Sequence, residues 1–260
     1  MNTTFAERQY VSLINNIRET NYVSYPTKGE VLSVIGSQIV LLPYELPLLS
    51  GRKMHWKGLV GEIKAFVANA TTNEEFKSHG CNFWGAWANE DGTLDVDYAR
   101  LLHDFNGRNQ LKYLIKGIKQ QPHSRKHIIS LWDPSSMAKQ VPCVLSYQWI
   151  VRGNKLHMIW TQRSADVMVG LASDMFTAWL FNMLIARTVG LEAGTVTMNI
   201  ADAHIYKQHL SDVGSYLQGV MAVDSEAKEP KIRVEGDIWD FEVFITDYKP
   251  AQELKFELLV

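Results

Sequence analysis

The alternation of apolar and polar positions divides the chain into helical and extended segments. Apolar residues that recur every three or four positions predict helices, whereas runs rich in β-branched residues predict strands. Predicted helices cover residues 5–18, 56–69, 98–120 and about 174–189, and predicted strands cover residues 30–42, 127–132, 143–151, 156–162, 196–205 and 234–248. This order favours a mixed α/β (α+β) fold in which a sheet is layered with long helices.

Local signals add detail to this pattern. Gly36 lies in the middle of the first long predicted strand, which favours a β-bulge there. Residues 80–98 form an aromatic-rich loop with a turn at Asp91-Gly92. The sequence contains neither an internal repeat nor a low-complexity linker, so we expect one domain over residues 1–260.

The composition narrows the range of possible functions. Hydrophobic residues make up 46% of the chain and charged residues 21%, which is typical of a globular protein. The 26 basic and 28 acidic residues give a net charge of −2, which does not suit a nucleic-acid coat. The N-terminus lacks the apolar run of a signal peptide, and we expect neither a membrane span nor a membrane partner.

The two cysteines, Cys81 and Cys143, show neither metal-ligand spacing nor a disulfide framework. We therefore expect a reducing, cytoplasmic setting and no metal. Cys143 follows Pro142 at the start of a predicted strand. A buried cysteine is usually just a small apolar residue, but the neighbourhood of Cys143 favours reactivity.

About twenty residues after Cys143, polar residues interrupt two apolar runs in the sequence QRSAD, residues 162–166. The guanidinium of Arg163 presents a fixed fork of donors that suits a phosphate. A nearby arginine would also favour the thiolate of Cys143, which is the reactive form. The alternative for Arg163 is a surface salt bridge.

The segments VPCVLSYQW (141–149), TQRSADVMVGLASD (161–174) and ADAHIYKQH (201–209) resemble the thymidylate synthase family in order and spacing. The resemblance extends over nearly the whole chain through LSVIGSQ (32–38), FWGAWANEDGTL (83–94), HSRKHIISLW (123–132), Glu62 and Tyr98. It implies a thymidylate-synthase-like fold in which one face of the sheet is used for dimerisation.

The resemblance also implies catalytic roles. Cys143 would add to carbon 6 of a pyrimidine, which makes carbon 5 nucleophilic and splits a hard substitution into easier steps. Glu62 would organise water and proton transfers around the ring, and Tyr98 would take part in proton removal at carbon 5. Without the resemblance, Glu62 would be interpreted as part of the solvated face of a helix.

Substrate roles follow in the same way. The nucleotide phosphate would be bound by Arg163 and Ser164 and, from a neighbouring subunit, by Arg125 and Lys126, the last in place of a more usual arginine. His204 and Tyr206 would hold the sugar 3′-hydroxyl, although such a pair on a strand is otherwise most simply explained by packing. The full set of predicted substrate-binding residues is Arg163, Ser164, Arg125, Lys126, Gln162, Asp174, His204 and Tyr206.

The implied co-substrate is 5,10-methylenetetrahydrofolate. Trp84, Trp87 and Asp166 correspond to positions that bind the reduced folate in the family. Aromatic faces would flank the flat pterin, and the Asp166 carboxylate would accept from its amino group. The two tryptophans could equally be core residues.

Three positions depart from the thymidylate synthase pattern. Asp174 stands where these enzymes have asparagine, as it does in relatives that act on cytidylates, and a carboxyl group complements the amino group and bare N3 of cytosine. The alternative for Asp174 is a cap of the helix that starts there. Val144 replaces a common histidine, and Pro26 falls where a phosphate-binding arginine is usual, so Lys28 is a candidate substitute.

The sequence therefore predicts a pyrimidine nucleotide 5-hydroxymethyltransferase acting on dCMP or CMP. Its partners would be a pyrimidine nucleoside monophosphate, a reduced folate and a second copy of the chain that shares the phosphate site; no nucleic acid is expected. The alternatives are 5-methyl transfer to dCMP, an atypical thymidylate synthase acting on dUMP, and an inactive regulator that binds nucleotide or RNA.

Overall fold

The mixed α/β architecture is confirmed by a computed structural model, which describes residues 3–20, 22–26, 28–224, 226 and 228–259. The helices are α1 Phe5–Glu19, α2 Trp56–Val67, α3 Asn73–Ser78, α4 Tyr98–His103, α5 Gln110–Gln120, α6 Ala172–Val189 and α7 Leu210–Met221. The strands are β1 Val23–Ser24, β2 Val31–Leu41, β3 Ile128–Ser130, β4 Val144–Arg152, β5 Lys155–Asp166, β6 Glu192–Tyr206, β7 Lys231–Asp237 and β8 Asp240–Thr246.

Within the described residues, the main sheet has the strand order β1-β2-β6-β5-β4-β3. β5 and β6 are parallel and the other neighbours are antiparallel. The bulge predicted at Gly36 is wrong. Gly36 has a φ of +73°, but β2 keeps one register against β6 on both sides of it. The register instead shifts between Val144 and Ser146, directly after Cys143, and such irregularities often aim side chains near functional sites.

The apolar helix α6 forms the centre of the core. It lies against β5 and β6 and also contacts α2, and most of its side chains are buried. Residues 167–189 are long and apolar enough to cross a membrane by length and composition, contrary to our expectation from the sequence. Since 67% of its most apolar 18-residue window is buried inside the protein, core packing accounts for its apolar character.

Two predicted elements are each split by a turn. The helix predicted over residues 98–120 is α4 and α5, because Asn106 and Gly107 between them have φ values of +54° and +78°, which a helix does not accommodate. The strand predicted over residues 234–248 is part of the β7–β8 hairpin, which forms its own two-stranded sheet.

Other elements differ in extent or were missed. α6 starts at Ala172 after a π-helical turn, Val167–Leu171, so it begins before Asp174. Helix α3 was missed although Thr72 and Glu75 form a capping box at its start. Helix α7 was also missed.

Candidate active site

The backbone of Cys143 hydrogen-bonds to one residue of α4 and to one residue of β5. Its N–H donates to the Tyr98 hydroxyl at 2.9 Å, and its carbonyl accepts from the Arg163 N–H at 2.9 Å. Burial raises the pKa of the Cys143 thiol, whereas the charges of Arg163 and Lys28 lower it. The negative charge of Asp174 acts in the raising direction. Tyr98, Arg163, Lys28 and Asp174 therefore lie around Cys143.

Arg163 and Ser164 lie beside the thiol as predicted. The Arg163 guanidinium donates to the carbonyls of Pro142 at 3.1 Å and Val141 at 3.2 Å, and within the described residues it forms no ion pair. The salt-bridge alternative is therefore not observed, and the positive charge is available to an anion. The Ser164 hydroxyl lies near the Cys143 thiol and acts to lower its pKa.

Glu62 projects from α2 into an internal cavity rather than into bulk solvent. Its Oε1 accepts from the Trp84 indole N–H at 2.8 Å. Burial raises the pKa of Glu62 to about 7; the Trp84 hydrogen bond lowers it and the charge of Asp174 raises it. The alternative of a solvated helix face is therefore wrong for this residue.

Gly61 explains how α2 comes so close to the loop that carries Trp84. A Cβ at Gly61 would lie 2.4 Å from the His79 carbonyl oxygen and 2.9 Å from the Cys81 nitrogen. Both atoms belong to the backbone, so they have little freedom to move aside. The small residue lets the loop of residues 79–84 pass directly against the helix, next to Glu62.

Asp174 lies in the first turn of α6. Gln162 donates from Nε2 to Asp174 Oδ2 at 2.7 Å, and burial raises the pKa of Asp174 to about 7. Asp174 does not cap the helix, because the helix has already begun; the side chain of Asp166 instead accepts from the N–H groups of Met168 and Val169 in the preceding turn. A buried carboxyl group titrating near neutrality is a feature of functional sites.

Glu62 and Asp174 line the same cavity of about 80 Å³, together with Tyr98. Burial raises the pKa of Tyr98 well above its usual value. The rest of the wall is mostly apolar and is formed by Ile63, Phe66, Val67, Trp84, Leu102, Val144, Tyr147, Trp160, Thr177 and Phe181. Val144, in place of the more usual histidine, contributes to this apolar wall.

The predicted folate-binding residues have different surroundings. Trp84 is 8% exposed and packs among aromatic rings, so it is a core residue as well as the donor to Glu62. Trp87 is half-buried, with its ring centroid 5.1 Å from that of Trp84. Burial raises the pKa of Asp166, and nearby His209 and His204 lower it.

His204 and Tyr206 lie on β6, and their ring centroids are 5.3 Å apart. His204 is the registered partner of Asp166 on β5. Burial raises the pKa of Tyr206, and the charges of Asp166 and Cys143 raise it further. Both residues therefore lie near the predicted site, in contact with each other.

Arg125 and Lys126 lie elsewhere. They are exposed and precede β3, at the edge of the main sheet opposite β1. Lys28, by contrast, is close enough to lower the pKa of Cys143, and its Nζ donates to the Leu259 carbonyl at 3.1 Å. Its neighbour Thr27, within the segment where the arginine is missing, lies outside the described residues.

Sequence reasoning missed four residues around this site. Tyr147 lines the cavity, and the inward alternation of β4 was the signal that could have found it. Gly61, His209 and Arg52, which donates to the Met168 carbonyl at 2.6 Å, left no comparable signal, because their contacts involve segments that are distant in the sequence. Among the described residues, no group of three or more histidine, cysteine, aspartate or glutamate side chains is placed to hold a metal ion.

Comparison with known proteins agrees with this geometry. The family model described as thymidylate synthase matches residues 8–260. Thymidylate synthase 1 of Bacillus spizizenii is 29% identical over 281 aligned residues, which cover 98% of this chain and 99% of the relative. The thymidylate synthases of Bacillus phage phi3T and Bacillus subtilis strain 168 are each 28% identical with the same coverage. The chain belongs to the thymidylate synthase family.

Proposed function

We propose that this family member is a 5-hydroxymethyltransferase that acts on dCMP, or on CMP, with 5,10-methylenetetrahydrofolate. The family membership supports folate-dependent one-carbon transfer to a pyrimidine nucleotide. The choice of cytosine and of a hydroxymethyl product is our inference. The observation that carries it is the half-buried carboxyl group of Asp174 and its hydrogen bond from Gln162.

The hydrogen bond from Gln162 gives the two oxygens of Asp174 different roles. Oδ2 already accepts from the Gln162 amide at 2.7 Å, so a proton on this carboxyl group resides on Oδ1. Oδ2 can accept a hydrogen bond from the amino group at position 4 of cytosine. The protonated Oδ1 can donate to N3 of cytosine, which carries no proton. Uracil requires the reverse arrangement, in which the oxygen facing position 4 donates.

The pKa of about 7 supports this assignment, because the carboxyl group then carries a proton in much of the protein near neutral pH. Cys143 would add to carbon 6, and carbon 5 would attack the folate methylene group. Loss of the carbon 5 proton and breakage of the bond between the methylene group and the folate nitrogen would release tetrahydrofolate and leave an exocyclic methylene. Water would add to the carbon of that methylene as the Cys143 thiolate leaves carbon 6, which restores the ring double bond.

The cavity supports addition of water rather than hydride. Glu62 and Tyr98 on its otherwise mostly apolar wall supply polar partners for a water molecule. Glu62 would accept the proton that the attacking water loses, since its pKa of about 7 suits a general base at neutral pH.

We extend the proposal to a homodimer in which Arg125 and Lys126 reach the phosphate of the other subunit. Ile35, in the middle of β2, is 89% exposed, which suits an apolar side chain that a second copy covers. If the site is shared, mixing the inactive variants Arg125→Ala and Cys143→Ser under exchange conditions restores activity. Activity that stays absent contradicts the shared site.

The base assignment is tested by incubating the enzyme with dCMP, CMP or dUMP and methylenetetrahydrofolate and identifying the products by mass spectrometry. We expect 5-hydroxymethyl products from dCMP or CMP without formation of dihydrofolate. In the Asp174→Asn variant, turnover of dCMP or CMP should fall by about a hundredfold or more, and turnover of dUMP should appear. Cys143→Ser should abolish both. Turnover of dUMP alone by the wild-type enzyme would refute the base assignment.

One observation favours a second candidate, the synthesis of thymidylate from dUMP: the relatives reported above are named thymidylate synthases. In that case Asp174→Asn would be harmless and dihydrofolate would form in step with product.

A further inference from the structure

Tyr147 is a buried tyrosine of β4 that has no part in the reaction as proposed. It is 7% exposed and is the registered partner of Trp160 on β5. Its ring centroid lies 4.6 Å from that of Trp160 and 5.6 Å from that of Phe181. All three side chains line the cavity that contains Glu62 and Asp174. Packing therefore fixes the Tyr147 ring at the wall of the candidate site.

The hydroxyl of Tyr147 lies near the ionisable groups of this cavity. Burial raises the pKa of Tyr147 well above its usual value, and the charges of Tyr98, Asp174 and Glu62 raise it further. An effect from all three groups requires that the hydroxyl lies within their electrostatic reach. Because the high pKa keeps the proton on the oxygen near neutral pH, Tyr147 can donate and accept hydrogen bonds but does not act as a base.

Within the described residues, the Tyr147 hydroxyl has no hydrogen-bond partner. The neighbouring polar groups already have one each: the Tyr98 hydroxyl accepts from the Cys143 N–H, and Glu62 Oε1 accepts from the Trp84 indole. A tyrosine hydroxyl usually finds a partner when it is buried. An unpaired hydroxyl on a cavity wall therefore indicates that its partner is a molecule inside the cavity.

The chemistry of the cavity wall suits a single water molecule next to Tyr147. The cavity volume of about 80 Å³ exceeds the roughly 10–15 Å³ that one water requires, and a buried water needs about two to four polar partners. The Tyr147 hydroxyl, the second carboxyl oxygen of Glu62 and the Thr177 hydroxyl belong to residues of this wall. Since the rest of the wall is mostly apolar, a water molecule is held at these groups.

We propose that Tyr147 is a further catalytic residue, whose hydroxyl binds the water molecule that adds to the exocyclic methylene group. The inference rests on the proposed hydroxymethyl product. In this step the water oxygen bonds to the methylene carbon, the double bond moves to carbons 5 and 6, and the bond between carbon 6 and the Cys143 sulfur breaks. Glu62 takes one proton of the water. The Tyr147 hydroxyl keeps its own proton and accepts a hydrogen bond from the other proton of the water.

Tyr147→Phe tests this role in a single turnover. Excess enzyme is mixed with methylenetetrahydrofolate and with dCMP or CMP, whichever the wild type converts, labelled with tritium at carbon 5. Loss of tritium precedes the addition of water, so its rate in Tyr147→Phe should stay within about threefold of wild type. The 5-hydroxymethyl product should appear about tenfold more slowly than in wild type, because the water has lost one hydrogen-bond partner.

A measurement of stability separates this role from a structural one. Phenylalanine keeps the packing of the ring and removes a hydroxyl that has no protein partner, so the urea midpoint of Tyr147→Phe should equal or exceed that of wild type. The matched control is Tyr216→Phe, which removes a buried hydroxyl that donates to Glu7 at 2.9 Å. In this control the urea midpoint should fall, and the ratio of tritium loss to product formation should stay at its wild-type value.

The outcomes separate this inference from the proposed function. Equal slowing of tritium loss and product formation in Tyr147→Phe, or a product rate within about threefold of wild type, overturns the role of Tyr147 even if the wild type makes a 5-hydroxymethyl product. A urea midpoint that falls as far as in Tyr216→Phe also overturns it, because the hydroxyl would then have a protein partner. A wild-type enzyme that releases no 5-hydroxymethyl product contradicts the proposed function itself, and the role of Tyr147 falls with it.

Discussion

Two glutamates in this protein, Glu7 and the half-buried Glu62, are held in different ways. Glu7, in α1, is 1% exposed and accepts from the N–H groups of Ser50 at 2.9 Å and Gly51 at 3.0 Å, from the Ser50 hydroxyl, and from the Tyr216 hydroxyl at 2.9 Å. Glu62, in α2, has one donor among the described residues, the Trp84 indole, and faces a cavity.

The difference in hydrogen bonding separates the stabilising role of Glu7 from the chemical role that we propose for Glu62. Four donors compensate the burial of Glu7, so this carboxyl group joins α1, the loop at residues 50–51 and α7. Glu62 has little such compensation, and burial raises its pKa to about 7, which leaves the group ready to exchange a proton. A buried charged residue is therefore understood from its partners rather than from its burial alone.

The largest expected effect is on catalysis by Glu62→Gln. Glutamine keeps an oxygen that accepts from Trp84 but cannot exchange a proton, so kcat should fall by about 10²- to 10⁴-fold. The free energy of unfolding near pH 6 should stay within about 1 kcal/mol of wild type. Rates of product formation and urea unfolding measure the two quantities, and a loss of less than about tenfold in kcat would contradict the role of Glu62.

Asp174→Asn should change how stability depends on pH. Burial raises the pKa of Asp174 from 3.8 to about 7 in the folded protein, so the folded state binds a proton more tightly than the unfolded state. This contribution is complete below the unfolded pKa and is lost as the pH rises through about 7. Relative to Asp174→Asn, the wild type should lose about 3 kcal/mol between about pH 4 and pH 8.

Urea unfolding of the wild type and Asp174→Asn at both pH values provides the measurement. A stability difference that does not change with pH would show that Asp174 is not a buried, proton-holding group.

Glu7→Gln should behave in the opposite way to Glu62→Gln. The new amide group would face N–H donors of Ser50 or Gly51, so the free energy of unfolding should fall by about 1–3 kcal/mol. The kcat of the folded fraction should remain within about twofold of wild type. Thermal unfolding measures the stability, and active-site titration allows kcat to be calculated for the folded fraction. A catalytic defect without a loss of stability would contradict the proposed distinction between Glu7 and Glu62.

The smallest effect is expected for Tyr216→Phe. This change removes one of the donors to Glu7 but keeps the edge contact between the Tyr216 and Tyr10 rings, whose centroids are 5.7 Å apart. The free energy of unfolding should fall by about 1 kcal/mol. In the double variant with Glu7→Gln the two losses should not add, because both changes act on the same hydrogen-bonded network. Simple additivity would contradict a shared network.

Much of the fold could be predicted because hydrophobic periodicity is a local property. Helices α1 and α2 and strands β2 and β4 lie within one or two residues of their predicted bounds. Two of the errors occurred at turns: the break at Asn106-Gly107 and the β7–β8 hairpin both interrupt runs whose apolar spacing continues through them. A turn depends on a few backbone angles, which apolar spacing does not encode.

Local sequence motifs also identified residues of the candidate site, but they did not predict all of the contacts between them. The segments around Cys143 and Arg163 identified the thiol and its neighbouring cation, and the structure places Ser164, Asp174, Tyr98 and Lys28 around them. The same reasoning did not foresee that Trp84 would be bonded to Glu62. That hydrogen bond depends on the close passage of a loop over Gly61.

The sequence by itself determined the mixed α/β class, the family and the residue types of the chemistry, because these follow from local patterns and from the order of short motifs. Only the tertiary structure decided which carboxyl groups are buried without enough donors, and hence which pKa values approach neutrality. The reason is physical: the cost of burying a charge depends on all the atoms that surround it, and in this chain those atoms come from segments far apart in the sequence.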